Sequence, residues 1–204
     1  MYGVDISHHN GLIYWTEVVK NTPKLDFIFM KASQGVGYVD SVLKYNSVEA
    51  KAVGIPVGYY HYASLNTHNI IEDARAEATF FVSTIQKCPE TTLPLVLDIE
   101  DNKANLSPKE VLIWIKTFFA QLVALEHNNY MLYSYTPFLN SNLPKDHDLG
   151  TTSLWLAAYV NKATPKLPNG WSKYKIWQYS AKGKVKGIKG DVDQNRTELN
   201  TTSL

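Results

Sequence analysis

The sequence predicts an α/β fold, an irregular TIM-like barrel of eight strands and about five helices in one domain over residues 1–204, with a core at about 1–197 and a tail at 198–204. Three observations carry this. Short β-branched and aromatic runs recur along the whole chain, helical patterns separate the first five of them, and Pro, Gly and Lys-rich loops separate the last three. Strands alternating with helices imply a parallel sheet joined by helical crossovers.

The strands, in order, are YGVDIS (2–7), DFIFMKAS (26–33), VGYYHYA (57–63), LPLVLDIE (93–100), NYMLYSY (129–135), LWLAAYV (154–160), KIWQYS (175–180) and a short eighth, GDVDQN (190–195). Helical patterns fall at about 14–21, from 41 (SVLKYNSVEAKAVG), from 68 (HNIIEDARAEATFFVSTIQKC) and from 107 (SPKEVLIWIKTFFAQLVALEHN), with a short one near 136–141. The helix from 107 carries its own start signal: Ser107 as N-cap, Pro108 at the first helical position and Glu110 three residues after the cap. No internal repeat or linker marks a second domain.

Composition narrows the function classes. A chain that is 45% hydrophobic and 19% charged supports one sizeable core and lacks a disordered bias. A formal net charge of +1 gives no global argument for nucleic acid, and no segment reaches the roughly 18 apolar residues of a membrane span. The lone cysteine, Cys88, excludes an internal disulfide and any cysteine-based metal spacing, and reads as a helix-end residue. The start, MYGVDISHHNG, has neither a basic n-region nor a long apolar h-region, so no export signal is expected.

The stretch LPLVLDIED (93–101) is a buried strand that ends in acid. In barrels of this kind reactive groups sit at the C-terminal ends of strands, so the cluster belongs at the mouth. Side chains alternate along a strand, so Asp98 and Glu100 face one cleft while Ile99 packs on the other side. Two carboxyls this close disfavour double ionisation, which leaves one protonated as a general acid requires. Glu100, nearer the mouth, is the candidate donor. Asp5 late in the first strand, and Asp191 and Asp193 on the last, bring further carboxylates to the same rim. Tyr60 and Tyr62, Tyr133, Trp155 and Trp177 accompany them. Carboxylates grip sugar hydroxyls and aromatic rings stack on sugar faces, so the pattern points to a carbohydrate. Aromatic residues also favour strands for packing alone. His8 and His9 lie beside Asp5, but no His spacing typical of a metal site exists, and neither metal nor cofactor is expected. His61 alternates with Tyr60 and Tyr62 and is expected to face the other way, as a satisfied buried side chain.

GVDISHHNG, FMKASQG, GYYHYA, LPLVLDIED, LWLAAY, IWQYS and GDVDQNR, in this order, resemble the glycoside hydrolase family 25 lysozymes over nearly the whole chain. The resemblance implies a β/α barrel and cleavage of the β-1,4 bond between N-acetylmuramic acid and N-acetylglucosamine in peptidoglycan. It puts the catalytic group on Asp5, Asp98, Glu100 and Asp193, with Asp191 a second choice. Lys31 of the second motif and Gln178 of the sixth join Tyr60, Tyr62, Tyr133, Trp155 and Trp177 as saccharide-binding candidates. Two departures from the family pattern, Ser33-Gln34 for Thr-Glu and Tyr62 for Phe, leave the four carboxylates untouched. Residues two apart on a strand have Cβ atoms roughly 6–7 Å apart, which leaves retention and inversion both open. The resemblance favours retention with help from the substrate's 2-acetamido group.

The rival readings are a glycan-binding barrel without catalysis and a metal-dependent polysaccharide deacetylase. The setting expected is a phage endolysin held in the host cytoplasm until its release to the wall, or a secreted enzyme whose signal peptide has been removed. Family members often carry a wall-binding module after the catalytic domain, so this chain reads as a minimal enzyme or a truncated one. Finally, residues 162–189 hold eight lysines, Lys162 to Lys189, and no Asp or Glu. The run reads either as solvated loops or as a basic rim drawn to teichoic acids.

Overall fold

All eight expected strands form in the computed structural model, which describes residues 1–161 and 163–198, and they join one sheet that closes on itself. Lys162 and positions 199–204 of the expected tail lie outside the described residues. The elements are β1 (Tyr2–Ile6), α1 (Trp15–Val18), β2 (Phe27–Gln34), β3 (Tyr38–Val39), α2 (Leu43–Ala52), β4 (Val57–Tyr62), α3 (Ile70–Ile85), β5 (Leu95–Asp98), α4 (Pro108–Ala124), β6 (Tyr130–Tyr135), α5 (Thr136–Asn142), β7 (Leu154–Ala157), β8 (Ile176–Gly183) and β9 (Val192–Arg196). Around the barrel the order is β1-β9-β8-β7-β6-β5-β4-β2, closed by β1 against β2. The unforeseen β3 is an exposed two-residue strand on the edge of β2, too short to leave an alternation pattern.

The direction of the last strand matters for the site. From β1 round to β8 the barrel strands run parallel, but β9 is antiparallel to both β1 and β8. Its first residues, not its last, therefore reach the mouth. Asp193, second in β9, pairs directly with Asp5, second from the end of β1.

Two packed layers hold the barrel. Phe27, Phe29, Val96, Met131, Trp155 and Ile176 fill the interior, while a larger set including Val4, Ile28, Leu97, Phe81, Trp114 and Phe118 seals strands against helices. Interior space is tight. A Cβ added at Gly3 or Gly58 would collide with the rings of Phe27 and Phe29 respectively, so glycine lets those rings occupy the barrel axis.

Helix α4 starts as its sequence requires. Ser107 Oγ accepts from the Glu110 amide, and the Glu110 carboxylate accepts from the Ser107 amide at 2.7 Å. His61 faces away from the interior as expected. Its ring joins Ser33 Oγ to the Glu77 carboxylate at 2.8 Å each, and it stacks on Phe118. Burial holds this histidine below its ordinary value despite the Glu77 contact. Cys88 follows α3 with a free thiol.

Candidate active site

The four expected carboxylates meet in a polar cavity of about 240 Å³ at the mouth, with Lys31, Tyr60, Tyr62, Tyr133 and Trp155 also in its lining. Strand β5 stops at Asp98, so Glu100 stands just past the strand end. The alternation nevertheless continues: Ile99 is buried in the layer beneath the helices while Glu100 lines the cavity. Neighbouring strands hold this acidic turn. The Ala63 amide donates to the Asp98 carbonyl at 2.8 Å, Ser134 Oγ to the Ile99 carbonyl at 2.6 Å and the Tyr135 hydroxyl to the Glu100 carbonyl at 3.0 Å.

Asp5 is buried and fully engaged on one oxygen. Its Oδ2 accepts from Gln178 Nε2 at 2.9 Å and from Asn195 Nδ2 at 2.8 Å. Those amides are oriented in turn: Gln178 Oε1 accepts the hydroxyls of Tyr133 and Tyr159, and Asn195 Oδ1 accepts the indole N–H of Trp155. Asp98 differs. Its Oδ1 is buried and has no hydrogen-bond partner among the described residues.

Not every expected saccharide contact reaches the cavity. Trp177 does not. It is 1% exposed and outside the cavity lining, because Ile176 belongs to the interior layer and the next side chain must point outward. Gln178 faces inward but is likewise buried, and its amide is occupied by Asp5 and two tyrosines, which makes it a positioning residue. Tyr133 and Trp155 are almost fully buried and form the floor, with ring centroids 4.9 Å apart. Lys31, Tyr60 and Tyr62 remain as walls, the Lys31 ammonium lying 4.7 Å from the Tyr62 ring centroid. Asp191 stays outside, exposed and paired with Lys184 at 2.6 Å. Trp177→Ala is thus expected to cost about 3–5 kcal/mol of stability, as for other buried Trp truncations. Turnover of short glycan fragments by the folded variant should stay near wild type; a loss of turnover with unchanged melting would return Trp177 to the cleft.

Other functional positions escaped the sequence reading. Ser7 and His9 also line the cavity: Ser7, two residues after Asp5 and still extended, had the alternation signal, while His9 lies in the 3-10 turn that follows, where strand alternation has ended. Asn195 had a signal: two residues after Asp193 on a strand, it shares its face. Beyond Glu100 lies a second, apolar groove of about 540 Å³, lined by Tyr135, Pro137, Ala157, Tyr159, Val160 and Lys166 among others. Glu100 belongs to both cavities and stands at their junction.

The electrostatics follow from crowding acids in a dry cleft. Asp5 is pushed up to about 8 by burial and then by the Asp193 charge, against the two amide donors that favour its ionised form. Asp98 rises well above the carboxylate range through burial, then Glu100, then Asp5. Glu100 and Asp193 are raised, by burial first. Burial lowers Lys31, opposed by Asp98, Asp40 and Glu100. A carboxyl raised in the folded state binds more protons folded than unfolded, so the stability it contributes is present at low pH and lost as pH rises through the folded value. Tm should therefore fall between about 4, the unfolded carboxyl value, and about 8, the value for Asp5. Asp5→Asn should flatten that decline, and identical Tm profiles for variant and wild type would refute the assignment.

Paired carboxylates facing aromatic rings at the mouth of a barrel equip an enzyme to cleave glycosidic bonds. The chain belongs to the glycosyl hydrolases family 25, whose sequence model matches residues 4–188, and it is a glycoside hydrolase. It is 31% identical over 201 residues to Lysozyme M1 of Streptomyces globisporus, covering 95% of this chain and 66% of that protein, just under two thirds. The bacterial lysozyme from Streptomyces coelicolor shares the fold with a TM-score of 0.86 at 29% identity, over 100% of this chain and 94% of that one. The modular autolysin LytC from Streptococcus pneumoniae, solved in complex with a synthetic peptidoglycan ligand, does so with 0.80 at 27%, over 95% of this chain and 46% of that one.

Proposed function

We propose that this hydrolase is a muramidase: it cleaves the β-1,4 bond between N-acetylmuramic acid and N-acetylglucosamine in peptidoglycan, with retention assisted by the substrate's own 2-acetamido group. The observation that carries this reading is the unpartnered, buried Oδ1 of Asp98 beside Glu100. A buried acceptor left empty is costly, and an acetamido N–H is a donor of the right kind to fill it. That hydrogen bond favours ionised Asp98, so the proton shared by the two carboxyls moves to Glu100. Glu100 then protonates the leaving glycosidic oxygen as its bond to C1 breaks. The acetamido carbonyl oxygen bonds to the opposite face of C1, giving an oxazolinium ion whose charge Asp98 offsets. Water, deprotonated by Glu100, attacks C1 and expels the acetamido oxygen, and two inversions give net retention.

The position of Glu100 at the junction of the two cavities fits this division, with the acetamido-bearing ring in the polar cavity and the leaving sugar along the apolar groove. Asp5 and Asp193 hold the local charge balance, and Gln178 and Asn195 hold Asp5. Attraction of the lysine-rich loops to wall polyanions belongs to the same reading. Within that run Lys184 and Lys186 pair with Asp191 and Glu17, but such exposed pairs are weak and leave the lysines free to exchange partners.

The test is digestion of purified peptidoglycan in EDTA, followed by borohydride reduction of the new ends. New reducing ends carrying muramitol support the reading. Glucosaminitol alone, or release of acetate without chain cleavage, would overturn it.

A further inference from the structure

Helices cover the first five crossovers between parallel barrel strands, but among the described residues none lies between β7 and β8, which are also parallel, or between β8 and the antiparallel β9. The outer face of β8, β9 and β1 is therefore left partly open: Val4, Ile6, Trp177 and Val192 are buried on it, while Tyr2, Tyr179, Gln194 and Arg196 reach the surface. Alternation sets its side chains: Ile176, Gln178, Asp193 and Asn195 are spent on the interior, so Trp177, Tyr179, Gln194 and Arg196 point outward beside Tyr2. Register places Arg196 between Tyr2 on β1 and Trp177 on β8. Its guanidinium lies 4.0 Å from the Trp177 ring centroid and 5.6 Å from that of Tyr179. Tyr2, Tyr179, Gln194, Arg196 and Lys184, with the loop 21–23, line a cavity of about 430 Å³ that shares no lining residue with the catalytic mouth or the apolar groove.

We infer that this outer face of β8, β9 and β1 is a second binding site, which takes a phosphodiester polyanion of the bacterial wall. Charge selects the ligand class. Arg196 and Lys184 line the cavity, and Lys20, Lys24, Lys182 and Lys186 flank it in sequence. Four carboxylates answer them: Asp191 on Lys184, Glu17 shared by Lys20 and Lys186, Asp26, which accepts the Tyr2 amide, and Glu198, two residues after Arg196. Six cations against four acids leave a positive surplus on a protein whose whole charge is only +1. The Arg196 plane is held by the rings beneath it, and a pre-oriented guanidinium fork suits phosphate oxygens better than a mobile ammonium. A neutral glycan fits less well. The Trp177 face a sugar would stack on lies under Arg196, and the indole is 1% exposed. The inference rests on the muramidase reading only in taking the wall as the target. Its role is to hold the enzyme on its insoluble substrate while the mouth works.

The test uses the whole chain and a purified glycerol-phosphate polymer, with binding measured by calorimetry across a salt series and hydrolysis of short, phosphate-free muroglycan fragments measured in parallel. Arg196→Gln with Lys184→Gln should weaken polymer binding at least tenfold and make its salt dependence shallower, since fewer counterions are released. Fragment turnover should stay within twofold. If loss of the Arg196 stack lowers Tm, Lys182→Gln with Lys184→Gln, which leaves the stack in place, should still weaken binding several-fold. The proposal falls if the wild-type protein does not bind the polymer, if either folded double variant binds as tightly as wild type, or if a neutral chitooligosaccharide displaces the polymer. Absence of fragment turnover in the wild type would instead count against the muramidase reading and leave polymer binding to be judged separately.

Discussion

Glu100→Gln is expected to abolish wall lysis, lowering kcat on peptidoglycan by roughly 10²–10⁴-fold, the usual contribution of a positioned general acid. The amide keeps the shape and hydrogen-bonding reach of the side chain but has no proton that a departing sugar oxygen can take. Folding should be unaffected, because the strand end is held through the Glu100 carbonyl, which accepts from Tyr135, and not through the carboxyl. Stability at alkaline pH should even rise, since the variant removes a carboxyl raised by burial. A substrate whose leaving group is a stable anion, such as a nitrophenolate, does not need the proton. On it the variant should lose far less in the first step. If turnover on peptidoglycan stayed within tenfold of wild type, Glu100 would not be the acid.

The reach of sequence reasoning differs from residue to residue here for physical reasons. Asp98 and Glu100 were legible together because alternation is a local property, and it persists one residue pair beyond the end of β5. Their meeting with Asp5 follows from barrel closure. The meeting of Asp5 with Asp193 depends also on β9 running antiparallel, which is decided by a short connection and leaves no mark in the strand itself. Alternation says which residues share a face but not which face is inside. Trp177 and Gln178, adjacent and both expected at the sugar, were misplaced on that account: the phase of β8 is set by Ile176, which packs in the interior cluster with Met131, Trp155 and their neighbours on other strands. His9 sits in a 3-10 turn, where strand periodicity carries no information, whereas Ser7, extended and two residues after Asp5, could have been found from alternation. The lysine run was plain in composition, yet its local charge depends on Glu17 and Asp191, which only the folded chain brings to Lys186 and Lys184. Gln178 was found for the wrong reason, as a contact for sugar, when its amide is consumed in orienting Asp5.

Asp98→Asn separates the acetamido-assisted route from its alternatives, and a loss of roughly 10²–10³-fold in kcat is expected, the scale seen when one electrostatic partner of a developing charge is removed. The substitution leaves volume and burial unchanged, so the fold should survive, and removing a buried carboxyl that Glu100 and Asp5 both repel should hold or raise Tm near neutral pH. What is lost is negative charge beside the acetamido N–H, and with it the stabilisation of the oxazolinium ion. A thiazoline mimic of that ion should accordingly bind the wild type more tightly than the substrate does, and lose affinity for the variant in proportion to the fall in kcat. If Asp98 attacked C1 itself, azide would rescue the truncated variant Asp98→Gly by replacing the missing nucleophile, and no such rescue is expected. The first-formed anomer, followed by NMR in the wild type, should be β. An α product, or an Asp98→Asn variant nearly as fast as wild type, would mean that water attacks C1 directly and that the empty Oδ1 of Asp98 serves the substrate in some way other than through its acetamido group.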